Sequence, residues 1–125
     1  MSGRKNALLK YAIISSGDMS TASITSAVTN IEYLDNIWIQ LNFTGTPTGT
    51  FAVQVSGDYS QGTGGTVLNA GNWTDLTLST SPVASGAAST IFIDMNQISA
   101  PWIRVVYTKT SGTGTLNAFI GAKML

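Results

Sequence analysis

The sequence predicts an all-β fold: an antiparallel β-sandwich or jelly roll of about eight strands, preceded by an extended N-terminal arm. Three observations carry that expectation. Val, Ile, Thr and aromatic residues fall in short runs separated by Gly, Asn, Pro and Ser clusters. Within several runs, apolar and polar residues alternate with a period of two, as in a strand with one face on a core and the other in water. No stretch carries a convincing helical repeat.

Residues 1–10 are set apart as the arm and 11–125 as a single sandwich domain. Arg4, Lys5 and Lys10 are three of the six cations, and no acid occurs before Asp18. Basic residues ahead of an apolar run faintly resemble a signal peptide, but Lys10 interrupts that run. The arm is expected to dock on a neighbouring subunit, with Arg4, Lys5 and Lys10 among the partner contacts.

Strands are expected near Tyr11–Ser15, Ala22–Val28, Asn36–Phe43, Thr50–Ser56, Trp73–Leu78, Ser89–Met95, Trp102–Thr108 and Leu116–Lys123. The clearest is NIWIQLNF, where Ile37, Ile39, Leu41 and Phe43 share one face and Trp38, Gln40 and Asn42 the other. FAVQV repeats the scheme with Phe51, Val53 and Val55 inward. TGTPTG between them, with Pro47 and two glycines, reads as a hairpin loop. Ser111-Gly112-Thr113-Gly114 also reads as a hairpin turn. It is not a phosphate loop, because no G-x-x-x-x-G-K-[ST] run and no helix follows it. The longest flexible-looking connection is Ser60 to Asn72, and long loops in small sandwiches often carry contacts.

At 125 residues the chain suits one domain that buries roughly two-thirds of its unfolded surface. It contains no Cys and no His. Thiolate nucleophiles, Ser–His and Cys–His pairs and the usual zinc ligands are therefore unavailable, and no enzyme activity and no cofactor are expected. Only 10% of residues are charged, against about 25% on average, and six cations balance six acids. No basic stripe is present to neutralise phosphates, so nucleic acid is not an expected partner. No apolar run reaches the length of a membrane span. A surface with so little charge suits permanent packing against copies of itself or against a partner.

Asp58, Asp75 and Asp94 are placed near loops, and without a D-x-D-x-D-G run they are expected to cap turns or stand solvated rather than bind calcium. Trp38, Trp73, Trp102 and Tyr59 are candidates for a stacking platform. Trp38 points outward by parity and is taken as a partner contact, with core packing at a sheet edge as the alternative; Tyr59 is taken as a second contact. Arg104 is expected to make a structural hydrogen bond. NFT and NWT match the N-glycosylation acceptor pattern, accidentally by this reading.

Four blocks, SGDMSTASITSA, IWIQLNFTGTPTGTFAVQVSGD, NWTDL and WIRVVYTKTSGTGTLNAFIGAK, resemble a β-sandwich module that recurs in virion proteins of tailed bacteriophages. The likeness spans nearly the whole chain after Lys10, apart from a longer insertion at Tyr59 to Gly71. It implies a capsid decoration, or cement, protein without catalytic residues. Such a protein would be made in the bacterial host cytoplasm, bind the major capsid protein at the outer capsid surface and form a homo-oligomer, with a trimer favoured. The alternative is a carbohydrate- or receptor-binding module of a tail or head fibre, using Trp38, Tyr59 or Trp73.

Overall fold

The computed structural model describes residues 7–123, and each of the eight expected segments contains a strand. The elements are β1 (Ala7–Asp18), β2 (Ser23–Thr25), β3 (Thr29–Asn30), β4 (Asn36–Phe43), β5 (Thr48–Ser56) and β6 (Ser60–Gln61). There follow a short 3-10 turn (Thr63–Gly65), β7 (Val67–Asn69), β8 (Thr74–Asp75), β9 (Val83–Ser85), β10 (Ser89–Asn96), β11 (Trp102–Ser111) and β12 (Thr115–Lys123). Four strands were not expected: β3, β6, β7 and β9 are two or three residues long, too short for an alternation to register.

One sheet has the order β1-β12-β4-β10; the other has β2-β11-β5-β8, with β3 also pairing β11 and β9 also pairing β5. Counting only the eight principal strands, the first, eighth, third and sixth form one sheet, and the second, seventh, fourth and fifth form the other. That is the strand order of a jelly roll, and it bears out the expected fold class. Every pairing among the described residues is antiparallel.

Between the sheets, Ile37, Ile39, Leu41 and Phe43 of β4 are buried, as are Phe51 and Val53 of β5, Ile103, Val105 and Tyr107 of β11, and Leu116, Ala118 and Ile120 of β12. Phe43, Phe51 and Tyr107 join the two layers, with ring centroids 5.6 Å and 4.9 Å apart along the series. The β1–β12 pairing carries three register shifts, so both Ile13 and Ile14 are buried, which a regular pleat forbids for adjacent residues.

Both hairpin readings are corrected. β4 and β5 belong to opposite sheets, and so do β11 and β12. Thr44–Pro47 and Gly112–Gly114 are therefore arches that carry the chain from one layer to the other. The two arches pack on each other. Thr46 N–H donates to the Thr113 carbonyl at 2.8 Å, and Thr44 N–H donates to the Thr115 carbonyl at 3.1 Å. Gly112 has φ +81°, and a side-chain carbon there would meet the Thr46 carbonyl oxygen. Glycine is needed both for the backbone angle and for the contact.

The boundary of the arm also differs from the expectation where it can be followed. β1 begins at Ala7, which pairs with Lys123, so residues 7–10 continue a sheet strand instead of leaving the domain. The rest of the arm lies outside the described residues.

Candidate binding face

The alternation of β4 sends Asn36, Trp38, Gln40 and Asn42 to the outer side of the four-stranded sheet. β10 and β12 flank β4 without a register shift, so their outward residues fall beside these. Asp94 and Gly121 lie opposite Trp38; Phe92 and Phe119 lie opposite Gln40. The outer face thus carries Trp38, Phe92 and Phe119 among amides and one carboxylate.

Trp38 is half-buried, and Phe92 is 58% exposed. Their rings are nearly parallel, 16° apart, with centroids separated by 5.7 Å. The indole has room because its neighbour on β12 is Gly121. A side-chain carbon at that position would come within 3.0 Å of Trp38 Cε2, Cζ2 and Nε1. Beside the ring pair lies a depression of about 320 Å³ that Asn36, Asp94, Asn96 and Lys123 help to line. Asn36 Oδ1 is buried there and has no hydrogen-bond partner among the described residues. Further along, Lys10 of β1 holds its ammonium nitrogen 5.2 Å from the Phe119 ring centroid.

Tyr59, Trp73 and Trp102 gather instead at the opposite sheet, where they are occupied. Tyr59 packs on Trp102 with centroids 4.8 Å apart and on Trp73 at 5.6 Å. The Arg104 guanidinium lies 4.2 Å from the centre of a Trp73 ring. Arg104 Nε donates to Gln54 Oε1 at 2.8 Å, and Gln54 Nε2 donates to Asp75 Oδ1 at 2.8 Å, so the expected structural role of Arg104 is the one observed.

Tyr59 needs correction as a contact residue. It is only 7% exposed and anchors the loop that follows it. That loop folds back through β6 and β7. Asp58 closes it: its carboxylate accepts from Asn72 N–H and Asn72 Nδ2 at 2.7 Å each, and from Ser56 Oγ at 2.9 Å. These bonds hold the Asp58 carboxyl below its ordinary value, the Asn72 backbone N–H contributing most. Asp58 is thus a turn cap, as expected. Asp94 caps no turn but stands exposed within β10, opposite Trp38, which is the solvated alternative.

Of the remaining expected contact residues, Lys10 and Trp38 share the outer face of the four-stranded sheet, while Arg4 and Lys5 lie outside the described residues. Phe92 was missed. The signal was present in STIFIDMN, where the inward parity of Ile91, Ile93 and Met95 leaves Phe92 and Asp94 pointing out. No group of three or more acids that could hold a metal occurs among the described residues.

These features define an antiparallel jelly-roll sandwich with one aromatic outer face. The chain is similar to the solved VP2 subviral particle of infectious bursal disease virus, with a TM-score of 0.56 and 11% identity, over 98% of this chain and 33% of that one. A structure of the Gx strain of the same virus matches with a TM-score of 0.47 and 12% identity, over 98% of this chain and 32% of that one. This chain therefore spans about a third of the length of those chains. At such identity the first likeness establishes a shared fold. No protein-family model matches the sequence, and no curated protein matches it.

Proposed function

We propose that this chain is a non-enzymatic structural protein of a virion, a rigid jelly roll that decorates the outer surface of a capsid shell and braces the major capsid protein beneath it. The observation that carries this reading is the jelly-roll order running through the whole described chain, shared over 98% of its length with a protein that forms a subviral particle. Fold alone permits many functions, and jelly rolls serve both capsids and lectins. The composition narrows the choice: a chain with 10% charged residues, no His and no Cys suits static assembly better than turnover. Resemblance to the virion modules of tailed bacteriophages makes a cement protein the specific form of the proposal, acting as a homo-oligomer, with a trimer favoured. Stabilisation would come from interface area that exists only on the assembled shell.

The test is attachment. Purified protein added to shells assembled without it should co-sediment to a fixed stoichiometry and raise the melting temperature of the shell. Removing residues 2–6, with Arg4 and Lys5, should weaken attachment and leave the melt of the isolated domain unchanged. Failure of the intact protein to co-sediment with bare shells overturns the proposal.

A further inference from the structure

We propose that the outer face of the four-stranded sheet is a binding site for a neutral glycan, with Trp38 and Phe92 as the platform and Asn36, Asp94, Asn96 and Lys123 as its polar rim. The inference goes beyond shell attachment and does not depend on it.

A pyranose ring has two kinds of surface: faces of C–H bonds that are apolar, and an equator of hydroxyls that both donate and accept hydrogen bonds. A complementary site needs a flat aromatic area ringed by mixed donors and acceptors, in a concavity of a few hundred cubic ångströms. Trp38 and Phe92 stack on each other, with centroids 5.7 Å apart, and Phe92, 58% exposed, presents the open aromatic surface. The depression beside them measures about 320 Å³. Its rim offers a carboxylate acceptor from Asp94, two amides from Asn36 and Asn96, and an ammonium donor from Lys123.

Two details favour an uncharged sugar over other occupants. The two charges on the rim cancel, so the site has no net preference for an acidic or a basic ligand. Asn36 Oδ1 is buried without a partner among the described residues, leaving an acceptor that a hydroxyl donor can satisfy. The second aromatic cluster makes a useful contrast. There Arg104 lies against Trp73, and Tyr59 is buried against Trp102, so its rings are engaged by the protein itself. Phe92 stacks on Trp38 yet keeps 58% exposure, on a face where Gly121 has made room for its neighbour.

The experiment is saturation-transfer NMR, with tryptophan fluorescence read in parallel, on the full chain. The probes are lactose, maltotriose and diacetylchitobiose, with sialyllactose as the charged comparator. Transfer to ring C–H protons of at least one uncharged probe is expected, with a fluorescence change. Both signals should fall roughly tenfold in apparent affinity in Phe92→Ser and in Asp94→Ala, about the size of losing one ring contact or one charge-assisted hydrogen bond. Both substitutions lie on the exposed side of β10, so their melts should match the parent; Trp38→Ala is the stronger but structurally riskier variant. Absence of transfer from every probe overturns the inference, as does transfer that survives Phe92→Ser or binding confined to sialyllactose. If the two variants instead lose shell attachment and no sugar binds, the face belongs to the shell and the glycan site is refuted.

Discussion

The indole of Trp38 lies across Gly121, its cross-strand partner, at a separation that no real side-chain carbon on Gly121 would allow. One residue without a side chain thus sets how the largest residue of the outer face lies. Gly121 is itself buried, because Trp38 covers it. Gly121→Val should force the ring away, cost about 1–3 kcal/mol through overpacking, and shift the tryptophan fluorescence. A thermal melt and an emission spectrum check both parts.

The paired arches make a second prediction. Gly112 has positive φ and abuts the Thr46 carbonyl; Gly114 abuts the Thr44 carbonyl. Gly112→Val and Gly114→Val should each destabilise the domain by roughly 1–3 kcal/mol or more. The space a phosphate would need is filled by the opposing arch. Millimolar ATP or GTP should therefore leave the parent melt unchanged, and a nucleotide-induced rise lost in these variants would contradict the assignment.

Core truncations should be expensive in both layers. Ile103 on β11 and Ile120 on β12 are almost completely buried, at 0% and 1% exposure, in opposite sheets. Ile103→Ala and Ile120→Ala should each cost about 2–5 kcal/mol by chemical denaturation. Equal losses from the two layers are expected of one shared core; a near-neutral result at either site would contradict it.

How much of this was legible in the sequence follows from what alternation encodes. Period two tells which residues share a face, so the buried row of β4 and the outward position of Trp38 could both be read. It does not tell which strand lies alongside. The Thr44–Pro47 and Gly112–Gly114 segments have the composition of hairpin turns, yet in a jelly roll they cross between layers, because an arch and a turn both demand glycine and proline. Tyr59 was misplaced for a similar reason: it stands among Gly, Ser and Asp, and only the folding back of the loop onto Trp102 buries it. β1 runs beyond Tyr11–Ser15 at both ends, unread because its bulges break the alternation that marks a strand.

The buried hydroxyl of Tyr107 has no hydrogen-bond partner among the described residues. Tyr107→Phe should remove an unmet desolvation cost and stabilise the domain by roughly 1 kcal/mol. Burial also raises the phenol above its ordinary 10.0. A raised folded value means stability fully present below pH 10.0 and lost as the pH climbs through the folded value. The alkaline loss should shrink in Tyr107→Phe, and an identical alkaline profile in both proteins would contradict this.

At the acid end, Asp58 and Asp18 are both held below their ordinary 3.8, Asp58 by Asn72 and Asp18 chiefly by the Ser20 hydroxyl. Depressed folded values contribute stability above pH 3.8 that disappears as the pH falls through them. The melting temperature should drop below that pH, and less steeply in Asp58→Asn, whose amide cannot titrate. Parallel acid profiles would show that the loop cap plays no part.

The central claim, that this jelly roll is a structural component of a virion shell, is tested most directly by a reconstruction of intact particles. The account predicts repeated density fitting this sandwich on the outer surface of the shell, in contact with the major capsid protein. Density absent from the shell, or confined to a tail or a fibre, would contradict it.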